Sequence, residues 1–160
     1  MTTVLKLGVN DIPYSGAYMP RAKKIRAGQR KFNKGYAANM TTGDVAEILE
    51  AKYAVMQTFF TKREGQIAKA LEDSVTNFLE AQLSGAPSNL DVFGPATQDI
   101  HEMFDTFITM KEMDGAPGVP TNASLLGVSH RFKDRRGAPG RPSFVDTGLY
   151  SSSFKAWMEE

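Results

Sequence analysis

The chain has 160 residues, a net charge of +1, 16 aromatic residues and no cysteine. The length suits one domain with a real hydrophobic core. The absence of cysteine excludes disulfide frameworks, thiolate metal sites and cysteine nucleophiles, and the ordinary apolar content excludes a wholly disordered chain. No apolar run approaches the roughly 20 residues that cross a bilayer, and the first residues do not form a signal peptide, so no membrane partner is expected.

The small net charge conceals segregation. Residues 1–34 carry a net +7, residues 35–114 a net −8 and residues 115–160 a net +2. Such asymmetry speaks about partners more than about fold.

Residues 1–41 read as an extended basic arm. Val4, Leu5, Leu7 and Val9 suit a short strand, but Gly8 and Pro13 limit it. Seven basic residues follow within fourteen positions: Arg21, Lys23, Lys24, Arg26, Arg30, Lys31 and Lys34. Tyr18, Phe32 and Tyr36 flank them, so nucleotide bases could stack where phosphates pair. Two other readings compete. The arm pairs with the acidic middle, within its own chain or on a neighbouring copy, or it is simply solvated. Exposed ion pairs are individually weak, so an assembling arm also needs apolar contacts such as Val4, Leu5, Tyr14, Tyr18 and Phe32.

Residues 42–113 read as a helical body. Thr41 or Thr42 suits a helix cap, and Thr41 with Asp44 approximates a capping box. Val45, Ile48, Leu49, Met56, Phe59 and Phe60 follow helical spacing, as do Ile67, Leu71, Val75, Phe78, Leu79 and Leu83. Gly65 marks a break or kink in this run, or Thr61 caps a second helix. Gly85 and Pro87 end the pattern. Pro95 suits the first position of a further helix over 95–113, whose stripe is Ile100, Met103, Phe104, Phe107 and Ile108.

Residues 114–160 read as a linker over 114–120, a short helix capped by Thr121 or Asn122, a basic loop over 131–142 and a C-terminal tail. Residues 149–158 form a last short helix or an extended segment. Tyr150, Phe154 and Trp157 have helical spacing and suit a contact with a partner. The predicted fold is mainly α: two to three amphipathic helices with extended N- and C-terminal arms and room for a small β element.

Catalytic signals are weak. His101 shares a helix face with Asp105, beside Glu102, but no second histidine cluster completes a metal set. Ser151, Ser152 and Ser153 lack a nucleophile elbow. Gly137–Gly140 lacks the Lys-Ser/Thr of a phosphate loop. No catalytic residue, metal or cofactor is expected, and the chain is not read as an enzyme.

The C-terminal residues carry one specific pattern. Arg135, Arg136 and Arg141 supply a basic stretch and Pro142 a proline. Phe144 and Val145 then precede Asp146-Thr147-Gly148, with Leu149 as spacer, Tyr150 at an apolar position and Ser153 as the serine. This order resembles the signature of the virion-morphogenesis and tail-completion proteins of tailed phages. The resemblance covers about thirty residues, with the upstream helices compatible. It implies a non-enzymatic structural protein of the virion, assembled in the host cytoplasm, at the neck, collar or tail-completion ring between head and tail. It also implies self-association in a ring, with portal, neck or tail proteins as partners. A DNA contact is compatible with that role but not required. A tail terminator lies within the same class. The family implies an α+β fold as an alternative, its strands following the motif. This chain stops at Glu160, so either the sheet is absent, or its strands come from Val4–Val9, or the tail pairs with a partner. The alternative of a different class is a small cytoplasmic protein that binds nucleic acid through the basic arm.

Overall fold

The computed structural model describes residues 3–13, 41–85, 87, 91–127, 140–145 and 148–159. Among them the fold is mainly α with one small sheet. In chain order the elements are β1 (Val4–Val9), α1 (Thr42–Tyr53), α2 (Val55–Leu83), α3 (Gly94–Thr109), α4 (Asn122–Leu125), α5 (Leu149–Ser153) and β2 (Phe154–Glu159).

The Thr41–Asp44 capping box forms as the sequence predicts. The Asp44 N–H donates to Thr41 Oγ1 at 3.2 Å and the Thr41 N–H donates to Asp44 Oδ2 at 2.9 Å. The long helical run breaks at Ala54, not at Gly65 or Thr61. Ala54 takes a left-handed conformation with φ of 50° and serves both as C-cap of α1 and N-cap of α2. Glu50 holds this corner. Its carboxylate accepts the N–H of Met56 at 2.7 Å and of Gln57 at 3.1 Å. The first turn of α2 thus receives a charged side-chain acceptor from the helix before it. A β-carbon in the left-handed region costs roughly 1–2 kcal/mol. Ala54→Gly is therefore expected to raise stability by about 0.5–1 kcal/mol, after the added entropy of glycine in the unfolded chain. Urea unfolding checks this, and a loss of stability would contradict the strained corner.

The core forms where α2 meets α3. Phe59 is fully buried and sets its ring edge-on to Phe104 at 5.2 Å and tilted to Phe107 at 5.5 Å. Ile100, Phe104, Phe107 and Ile108 are the buried stripe of α3. Pro95 stands in its first turn, where a missing N–H costs nothing. The Ala96 N–H donates to the buried hydroxyl of Ser74 at 3.2 Å, which pins the start of α3 to position 74 of α2. The last nine residues of α2 continue beyond that point.

The segment over 114–120 is not a linker. Met113 and Val119 are buried in the core, and successive turns join them, with a cis peptide bond between Val119 and Pro120. Glu112 ties this region to α2: its carbonyl accepts from Lys62 and its carboxylate pairs with Arg63. Thr121 then caps α4, accepting the Ser124 N–H.

The sheet joins the two ends of the described chain. β1 and β2 are antiparallel, with Leu5 opposite Met158, Leu7 opposite Ala156 and Val9 opposite Phe154. Leu5, Leu7, Val9, Phe154 and Ala156 pack into the core, in keeping with the two-residue period of a strand. On the other face Lys6 pairs with Glu159 at 3.2 Å. The ring of Trp157 lies over Gly8, where an added β-carbon would approach its carbons to 3.0 Å, so only glycine leaves the ring its place. The predicted Val4–Val9 strand thus forms, and its partner is the chain's own C-terminal segment. The arm drawn over 1–41 is corrected accordingly, because residues 3–13 belong to the folded body.

Candidate interaction surfaces

The feet of the basic segment are the first surface feature. Pro13 and Thr41 form an isolated antiparallel bridge. Thr42 lies beneath it, fully buried. Its hydroxyl accepts the Ile12 N–H at 2.8 Å and donates to the Asn10 carbonyl. The Thr42 N–H donates to the Ile12 carbonyl at 2.9 Å, and Asp11 Oδ1 accepts the Gly43 N–H at 3.1 Å. The two ends of the segment 14–40, Pro13 and Thr41, therefore lie side by side on the body. Arg21, Lys23, Lys24, Arg26, Arg30, Lys31 and Lys34 lie outside the described residues. What the structure fixes is their tether: the segment that carries them is held at both ends, at Pro13 and Thr41.

Thr42 was not legible as a key residue, because one hydroxyl serving two strand-end groups thirty positions away leaves no local pattern. Thr42→Val keeps the shape and removes both hydrogen bonds. It is expected to cost about 1–3 kcal/mol, since two part-buried hydrogen bonds of about 0.5–1.5 kcal/mol each are lost. Thermal unfolding measures this, and a cost below a few tenths would contradict the arrangement of the feet.

The C-terminal motif is the second feature. Arg135, Arg136, Asp146 and Thr147 lie outside the described residues. The others are built into the body. The Arg141 N–H donates to the Ser124 carbonyl at 3.0 Å. Ser143 is buried, accepts the Thr121 N–H at 3.2 Å and lies 3.1 Å from the Ser124 hydroxyl. Phe144 has φ of 68° and packs its ring 5.1 Å from that of Tyr53. Gly148, with φ of 77°, is the N-cap of α5. A left-handed residue there suits glycine.

Tyr150, Phe154 and Trp157 do not share a helical face. The chain changes from helix to strand at Phe154, so the i, i+4, i+7 spacing is not realised. Tyr150 and Phe154 are buried within this chain, and Phe154 stacks on Phe104 with centroids 4.0 Å apart. Ser153 is also buried and donates to the Tyr150 carbonyl at 2.9 Å. The reading of Tyr150, Ser153 and Phe154 as partner contacts is corrected on this burial. Trp157, with 39% of its surface exposed, is the member of the set that faces outward.

The remaining chemistry-bearing residues are engaged locally. Ser151, Ser152 and Ser153 each donate to a carbonyl three residues earlier. His101 is half-buried with its ring 5.9 Å from that of Phe154. Among the described residues no group of three His, Cys, Asp or Glu side chains is placed to hold a metal. No helix of the described residues is long and apolar enough to cross a membrane.

No protein-family model matches the chain, and no curated protein or solved structure matches it.

Proposed function

We propose that this chain is a non-enzymatic structural protein of a tailed-phage virion, a subunit of the head-to-tail neck, collar or tail-completion ring. The resemblance at Pro142–Ser153 motivates the reading. The observation that carries it is the pair of feet at Pro13 and Thr41, which hold a segment with seven basic and no acidic residues on a body of opposite charge. A surface of one sign carrying a tethered segment of the other sign suits a heterologous contact, in which each copy holds the next and the set closes into a ring. The motif then has a structural task within each subunit. It turns the chain at Gly148 and delivers β2 to β1, so both chain ends are tied to the same core. Portal, neck or tail proteins are the proposed outer partners, and the virion the proposed location.

Gold labelling of an epitope-tagged chain in purified particles from its source tests this. Label confined to the junction of head and tail is expected. Label absent from clean particles would overturn the reading and favour the basic segment as a phosphate-binding element in the cytoplasm.

A further inference from the structure

We infer that the far end of α2 is the acceptor for the basic segment of a second copy of this chain. The inference rests on the ring reading and names its contact. Because α3 is pinned at Ser74, α2 runs on without it, and Leu71, Val75, Leu79 and Leu83 form a ridge at four-residue spacing. Residues four apart on a helix form a continuous row. Exposure rises along the row: Leu71 and Val75 are half-buried, Leu79 is 54% exposed and Leu83 90% exposed. A row of leucines that leaves the core and continues into solvent offers apolar surface to a partner.

Charge selects the occupant. Glu72 and Glu80 are exposed on the side of the row away from α3, and among the described residues neither belongs to an ion pair. Two acidic ridges repel, so ridge-to-ridge packing of two copies is disfavoured. A segment rich in cations and carrying apolar side chains fits. Residues 21–34 supply seven cations together with Ile25 and Phe32. From feet at Pro13 and Thr41 the segment spans about 13 residues each way, or roughly 40 Å when extended, enough to cross onto an adjoining copy. The apolar row supplies area and the acids supply direction, which weak exposed ion pairs alone would not achieve.

Sedimentation velocity on the full chain tests this with two charge reversals. One is Glu72→Lys with Glu80→Lys; the other is Arg30→Glu with Lys31→Glu and Lys34→Glu. The wild-type chain is expected to self-associate, less so at high salt. Each reversed chain alone is expected to associate at least tenfold more weakly, with its helical circular dichroism unchanged. An equimolar mixture of the two is expected to recover association. Leu79→Ser, at an exposed position, is expected to weaken association as much as either reversal. A monomeric wild type, or reversals without effect, would overturn the inference. So would rescue only when both reversals are placed in one chain, which would put the contact within a subunit. The ring reading is judged separately, by the chain's presence in particles. Normal incorporation of both reversed chains there would sink this contact and leave the ring standing.

Discussion

Phe154→Ala is expected to destabilise the fold by about 3–5 kcal/mol, the cost of emptying a buried aromatic site that cannot collapse. The ring is 2% exposed, stacks on Phe104 at 4.0 Å and 13°, and meets Phe59 edge-on at 5.9 Å. It is also the first residue of β2, opposite Val9, so the same cavity loosens the strand pair that ties both chain ends. A domain of this size commonly has about 5–15 kcal/mol in hand, so much of the molecule's stability is at stake. The midpoint of thermal unfolding should fall by roughly 6–20 °C. Trp157→Ala, on the outer face of the same strand, should cost far less, since its ring is more than a third exposed. Chemical denaturation of the two variants makes the comparison. A small effect at Phe154 combined with loss of association would restore the reading of that residue as a partner contact.

The second large effect is functional. Excising residues 15–39 and joining the feet with a short Gly-Ser bridge is expected to leave the fold intact and abolish assembly. The bridge between Pro13 and Thr41 and the bonds of Thr42 already bring the two ends together. Shortening the loop from 27 residues to a few lowers its closure entropy, so stability should hold or rise by about 1–2 kcal/mol. Truncation from the N-terminus is a different experiment. Removing residues 1–35 also strips β1 from β2 and uncovers the apolar side of Phe154 and Ala156, so it would unfold part of the body and say little about the basic segment. Size-exclusion chromatography with light scattering reads the excised chain. An oligomer of wild-type size would contradict the proposed role of the segment. Unchanged assembly with loss of salt-sensitive nucleic-acid binding would favour phosphate contact instead.

Local signals in this chain are read correctly where the cause is local. The Thr41–Asp44 box, Pro95 in the first turn of α3, the Thr121 cap and the Val4–Val9 strand each follow from a few adjacent residues. The features missed have distant causes. Ala54 carries no glycine or proline to announce a break. Its left-handed turn is held by Glu50, whose carboxylate reaches across the corner to cap the next helix. Residues 149–158 read as a short helix or an extended segment, with the spacing of Tyr150, Phe154 and Trp157 favouring helix, and only pairing with β1, about 150 residues earlier, selects strand from Phe154 onward. The Gly- and Pro-rich stretch before Thr121 reads as linker, while Val119 within it fills the core. On the candidate surfaces, charge segregation was legible from composition. That the basic segment returns to its starting point depends on Thr42, whose role exists only in the folded chain. The apolar character of Leu79 and Leu83 was visible as helical periodicity, but their exposure follows from where α3 begins, fixed by the Ser74 hydroxyl.

The most direct test of the structural role is the copy number of this chain in purified particles from its source, measured by quantitative mass spectrometry against a capsid protein of known stoichiometry. A value near six or twelve per particle is the result expected of a junction ring. Absence from clean particles, or hundreds of copies as for a shell or tail-tube protein, would contradict it.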